Sequence, residues 1–81
     1  MRVTFIGGGN MAAAMIGGLL QQGYAASDLS VVEIVPAARA RLAARFGVRV
    51  LDRVGTEALV CDALVLAVKP QDVRKALEPL G

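Results

Sequence analysis

The stretch FIGGGNMAAAMIGG, residues 5 to 18, sets Gly7, Gly8 and Gly9 between an apolar run and a run of small residues with helical spacing. Three consecutive glycines weaken any regular element, so their place is where the backbone must turn sharply or let another group come close. Val3 to Ile6, just before them, is a short run rich in apolar and β-branched residues and suits a strand buried on both faces of a parallel sheet. From Asn10 the pattern becomes helical: Met11, Met15 and Leu19 fall on one stripe, Ala12, Ile16 and Leu20 on the stripe beside it, and Gly23 closes the helix. A strand therefore passes to a helix through a glycine turn.

Gly7, Gly9 and Ala12 fit the dinucleotide fingerprint G-x-G-x-x-G/A. The first glycine makes the tight turn out of the strand, the second leaves room for a pyrophosphate against the backbone, and the third small residue lets helix and strand pack closely. The free N–H groups at the start of the helix, around Asn10 and Met11, would face the phosphates with the positive end of the helix dipole behind them. The expected cofactor-binding residues here are Ile6, Gly7, Gly9, Asn10, Met11 and Ala12. Glu33 joins them, an acidic residue at the end of the next expected strand, where the carboxylate that reads a ribose belongs. Such a carboxylate can accept hydrogen bonds from the ribose hydroxyls of NAD, and it repels the added charge of an NADP 2′-phosphate. The local reading leans to NADH, with Arg39 and Arg53 as cations that could instead reach a phosphate. Gly17 and Gly18 lie within the helix and read as sites of close helix packing.

The rest of the chain repeats the alternation. Leu29 to Val35 reads as a second strand, introduced by Ser27 and Asp28 and closed by Pro36, which suits the first position of a new helix. That helix carries Leu42 and Phe46 and ends at Gly47. VRVL at 48 to 51 is a third strand, TEALV a brief helical turn begun by Thr56, and ALVLAV at 63 to 68 a fourth strand without alternation. Pro70 opens a last helix with Val73 and Leu77 on one face. The order β-α-β-α-β-α-β-α predicts an α/β fold, a Rossmann-type doubly wound parallel sheet that stops after about four strands.

Composition narrows the function classes. Nine basic and seven acidic residues give a net charge of +2, and Arg39, Arg41, Arg45, Arg49 and Arg53 read as a solvated helix face and turn. No aromatic platform accompanies them, which argues against nucleic acid as a partner. No uninterrupted apolar run approaches the roughly 20 residues of a membrane span, and the glycines and Asn10 break what superficially resembles a signal peptide. The single cysteine, Cys61, reads as buried filler in a reducing, cytoplasmic setting, and the absence of histidine leaves no histidine-containing metal cluster. No nucleophile or carboxylate pair is visible, so no residue is assigned a catalytic role. With 56% hydrophobic residues, the chain carries more apolar surface than 81 residues easily hide, which points to missing partner surface.

LAVKPQDV at 66 to 73, taken with FIGGGNMA, resembles the N-terminal half of the pyrroline-5-carboxylate reductases, and RARLAARFGV between them is similar to that family's second helix leading into its third strand. The resemblance spans practically the whole chain. It implies that residues 1–81 are the N-terminal part of a dinucleotide-binding domain, followed in family members by a helical domain that dimerises and supplies much of the substrate pocket. It implies an NAD(P)H-dependent enzyme of proline biosynthesis that reduces the small molecule 1-pyrroline-5-carboxylate to L-proline by hydride transfer to a cyclic imine, with a homo-oligomer as the full-length state. It also places Ala67, Val68, Lys69 and Pro70 beside the nicotinamide. Where the family commonly has a small polar residue or an Asn-Arg-like pair, this chain has Glu33 and Ile34, so the cofactor stays NADPH or NADH. Two alternatives stay open: another reductase with the same type of domain, and a non-catalytic dinucleotide-binding module. The 81 residues alone are expected to lack reductase activity and to be poorly stable or self-associating.

Overall fold

A computed structural model of the chain describes residues 1–67. The expected last helix, with Pro70, Val73 and Leu77, lies outside the described residues. Four parallel strands, β1 (Val3–Ile6), β2 (Leu29–Val32), β3 (Arg49–Leu51) and β4 (Ala63–Leu66), form one sheet in the order β3-β2-β1-β4. Helices α1 (Asn10–Gln21), α2 (Pro36–Phe46) and the short α3 (Thr56–Leu59) connect them. This is the doubly wound arrangement that the alternation predicts. After β1 the chain builds outward through β2 and β3, then returns to pair β4 on the other side of β1.

All four residues of β1 are buried, because β1 is paired on both sides and covered on both faces. Val3 and Phe5 join Leu29 and Val31 of β2 beneath Ala12 and Ile16 of α1 and Leu42 of α2. On the opposite face Ile6 and Val32 pack against Val54 and Ala58. Burying a side chain such as Phe5 or Ile16 contributes on the order of 1.5–3 kcal/mol. The two apolar stripes of α1 divide: Ala12 and Ile16 are fully buried, whereas Met11 and Met15 are exposed. Along an α-helix those methionines lie about 100° round from the buried pair, which turns them off the sheet.

Three expectations are corrected. The second strand ends at Val32, short of the expected Val35, because the chain must turn to place Pro36 at the start of α2; Ile34 and Val35 are exposed in that turn. β4 has partly exposed Leu64 and Leu66 on the face that Thr4 and Ile6 share, since it has a partner on one side only among the described residues. Cys61 is half-buried in the turn before β4 rather than core filler.

Gly17 and Gly18 also differ from expectation. A Cβ on Gly17 would meet Cε1 of Phe46 at 3.7 Å, an ordinary contact, and one on Gly18 would meet nothing within 4 Å. Close packing does not demand either glycine. Gly18→Ala is therefore expected to raise stability by about 0.5–1 kcal/mol through helix propensity, read as a shift of the urea midpoint at unchanged slope. A loss of stability would show that α1 is packed more tightly than these distances allow.

Candidate dinucleotide-binding site

The carboxyl ends of the four strands fall on one line. Ile6 is in register with Val32 of β2 and Leu66 of β4, and Val32 with Leu51 of β3. Backbone hydrogen bonds carry the ladder one residue further: Gly7 N–H donates to the Val32 carbonyl at 2.8 Å, Glu33 N–H to the Leu51 carbonyl at 2.9 Å, and Ala67 N–H to the Ile6 carbonyl at 2.8 Å. Gly7, Glu33 and Ala67 thus stand side by side along the sheet edge. The direction of strand order reverses between β1 and β4, and the crevice outside such a reversal is where open α/β sheets bind ligands.

Each glycine of the turn has its own reason. Gly7 is buried and has φ of 103°, a left-handed backbone that a Cβ would strain. Gly9 has ordinary extended geometry (φ −80°), and a Cβ there would meet nothing within 4 Å. The space beside Gly9 is open. At Gly8, which the fingerprint leaves unspecified, a Cβ would lie 2.6 Å from Cδ1 of Leu42 and 3.2 Å from both Cβ and Oε1 of Glu33. The fingerprint does not reveal this constraint; the signal would have been Leu42, an apolar residue placed to bring α2 against the turn.

Gly9 caps α1 without a side-chain hydrogen bond, and the first helical turn contains no acidic residue. The first intrahelical bond runs from Ala13 N–H to the Gly9 carbonyl at 3.0 Å, so the preceding N–H groups have no acceptor inside the helix. Asn10 and Met11 are exposed there, and Ala12 is fully buried against the sheet as the third position of the fingerprint requires. An open cradle over Gly9, exposed donors and no competing carboxylate in the helix suit a bound pyrophosphate. The residues present fit a dinucleotide.

Glu33 is half-buried at the end of β2, and its carboxylate is already engaged. Oε1 accepts the Gly8 N–H and Oε2 the Val35 N–H, each at 2.9 Å. Arg39 of α2 reaches back and donates from Nη1 to the Glu33 carbonyl at 2.8 Å. Of the other arginines, Arg41 and Arg45 are exposed on α2, with Arg45 over the Phe46 ring at 4.8 Å, and Arg49 is exposed. Arg53 lines an open hollow of about 300 Å³ after β3 with Leu51, Asp52, Gly55, Thr56 and Glu57. The structure brings Ile6, Gly7, Gly9, Asn10, Met11, Ala12, Glu33 and Ala67 to one edge. Val68, Lys69 and Pro70 lie outside the described residues. Among the described residues no group of His, Cys, Asp or Glu could hold a metal, and no helix is long and apolar enough to cross a membrane.

Known proteins share this arrangement. The model of a family described as "NADP oxidoreductase coenzyme F420-dependent" matches residues 2–80. The chain belongs to that family. Within the range of this oxidoreductase family, it is similar to pyrroline-5-carboxylate reductases: 37% identical over 80 residues to that of Pseudomonas aeruginosa and 41% over 79 residues to that of Haemophilus influenzae. Those matches cover 99% and 98% of the chain. A solved structure of a pyrroline-5-carboxylate reductase from Coxiella burnetii superposes with a TM-score of 0.87 at 34% identity over 98% of the chain. The resemblance read from FIGGGNMA and LAVKPQDV is thereby borne out, as is the Rossmann-like fold. The chain spans about 29% of the length of each of these relatives. Family and relatives together indicate a nicotinamide dinucleotide as the cofactor class.

The crowding at Gly8 sets a test of the turn. Gly8→Ala is expected to cost about 1–3 kcal/mol by overpacking Leu42 and Glu33, measured by chemical denaturation. Stability equal to that of the unaltered protein would mean that α2 stands further from the turn.

Proposed function

We propose that this chain is the cofactor-binding segment of an NAD(P)H-dependent pyrroline-5-carboxylate reductase, which reduces 1-pyrroline-5-carboxylate to L-proline. The observation that carries this reading is the likeness, over 98% of the chain and at a TM-score of 0.87, to a solved enzyme of that name. The same reading carries over from the family resemblance a helical domain that supplies the substrate pocket and makes the whole protein a homo-oligomer. Without that pocket the imine would lose the positioning that makes hydride transfer fast, and these residues alone would not turn over. A cytoplasmic location belongs to the same proposal.

The bound nicotinamide supplies the hydride for the C=N bond; the chain supplies its position. Gly7 turns the backbone out of β1, and Gly9 leaves the space that the pyrophosphate fills. The N–H groups of Asn10 and Met11 would donate to its oxygens, while the buried Ala12 seats α1 on one face of the sheet and Ile6 ends β1 with its side chain buried on the other. Ala67, beside Ile6 at the end of β4, borders the nicotinamide in this reading; Val68, Lys69 and Pro70, which the resemblance assigns to the same loop, lie outside the described residues. Glu33 faces the adenosine ribose, and its negative charge makes NADH at least as good a cofactor as NADPH. The small-molecule substrate, with no nucleic acid or membrane, completes the reading.

Gly9→Val tests the pyrophosphate contact. Its backbone geometry is open to any residue and its Cβ meets nothing, so the fold should survive while binding of NADH and NADPH by calorimetry falls below detection. Unchanged affinity would refute the placement. The unaltered whole protein should reduce 1-pyrroline-5-carboxylate with either reduced dinucleotide, and dinucleotide binding without any turnover would instead favour a non-catalytic module.

A further inference from the structure

The carboxylate of Glu33 spends both of its oxygens on the chain's own backbone. One holds the Gly8 N–H, 25 residues earlier in sequence, and the other the Val35 N–H. Gly8 is the middle of the glycine turn, at a point where a Cβ would crowd the Leu42 side chain. A turn of three glycines has more conformations to lose than any other tripeptide, and nothing within GGG itself favours the bound one. The Gly8–Glu33 hydrogen bond links that turn to the end of β2. The other oxygen fixes the carboxylate by closing the turn before α2, and Arg39 anchors the same residue through its carbonyl.

We infer that Glu33 is a positioning residue for the glycine turn: by holding the Gly8 N–H it presets the backbone of Gly9 and Asn10 for a dinucleotide pyrophosphate, in addition to setting the charge beside the ribose. This rests on the dinucleotide reading and extends it. The two roles need different parts of the side chain. Charge selection needs a carboxylate and tolerates its withdrawal. The latch needs an acceptor at the full reach of a glutamate and tolerates neutrality, because an amide oxygen also accepts.

Two substitutions separate them. Glu33→Gln keeps the reach and one acceptor oxygen, enough for the Gly8 N–H, but removes the charge and the acceptor that the Val35 N–H uses. Glu33→Asp keeps the charge but withdraws the carboxylate by about one C–C bond, roughly 1.5 Å, which takes a 2.9 Å contact beyond hydrogen-bonding range. The measurements, on the whole protein that carries this chain, are amide hydrogen exchange at Gly8 without ligand and calorimetric affinities for NADH and NADPH. Melting curves check that each variant is folded.

With Glu33→Gln, Gly8 should stay protected, while the preference moves toward NADPH by about fivefold. With Glu33→Asp, Gly8 should exchange freely and both affinities should fall by about tenfold, the scale of a lost charge-assisted hydrogen bond, with their ratio unchanged. Gly8 exchange in Glu33→Asp equal to that of the unaltered protein would overturn the latch. Freed Gly8 exchange with both affinities unchanged would overturn its role in positioning. An unaltered protein that binds neither dinucleotide would overturn the dinucleotide reading, whereas failure of the latch alone leaves wild-type binding intact.

Discussion

β1 is buried on both faces and paired on both edges, so the chain can leave the sheet only at its end, and it must do so between Ile6 and Asn10. Everything at the candidate site follows from that short exit. Gly7 takes a left-handed backbone to turn out of the strand, Gly8 passes under Leu42 where a Cβ would crowd that side chain, and Gly9 opens α1 with no atom within 4 Å of where a Cβ would stand. The same exit leaves the first N–H groups of α1 without intrahelical acceptors, a local positive end that suits an anion.

The sheet edge beside this exit is organised by neighbours from both sides. β2 ends in register with β1, which puts Glu33 within reach of Gly8, and β4 ends in register on the other side, which puts Ala67 against Ile6. Glu33 is thus part of the turn's own scaffold. Arg39 adds a guanidinium at the same strand end, held by a carbonyl rather than by the carboxylate. Among the described residues this edge combines helix N–H groups without intrahelical acceptors, a carboxylate engaged by two backbone N–H groups and a nearby cation.

Much of this was legible in the residues. The strand, glycine turn and helix of residues 3 to 21 follow from the switch in hydrophobic period, and Pro36 and Gly47 bound α2 because one lacks an N–H and the other accepts φ of 70°. Less legible was anything decided between distant segments. Val35 and Ile34 look like strand residues by composition, yet the turn into Pro36 excludes them from β2. Met11 and Met15 look like core, but the rotation of α1 on the sheet turns them outward. The constraint on Gly8 comes from Leu42, 34 positions later, and the engagement of Glu33 by backbone N–H groups leaves no trace in a sequence motif. Ala67 needed the resemblance as well as the residues, because alone it is one more small residue after an apolar strand.

The central claim is that the edge formed by Gly7 to Met11 receives the pyrophosphate of a nicotinamide dinucleotide. A crystal structure of the whole protein with NADH or NADPH tests it most directly. The account predicts the pyrophosphate over Gly9, with its oxygens within hydrogen-bonding distance of the Asn10 and Met11 N–H groups. A dinucleotide bound elsewhere, with the Gly7 to Met11 backbone free of phosphate contacts, would contradict it.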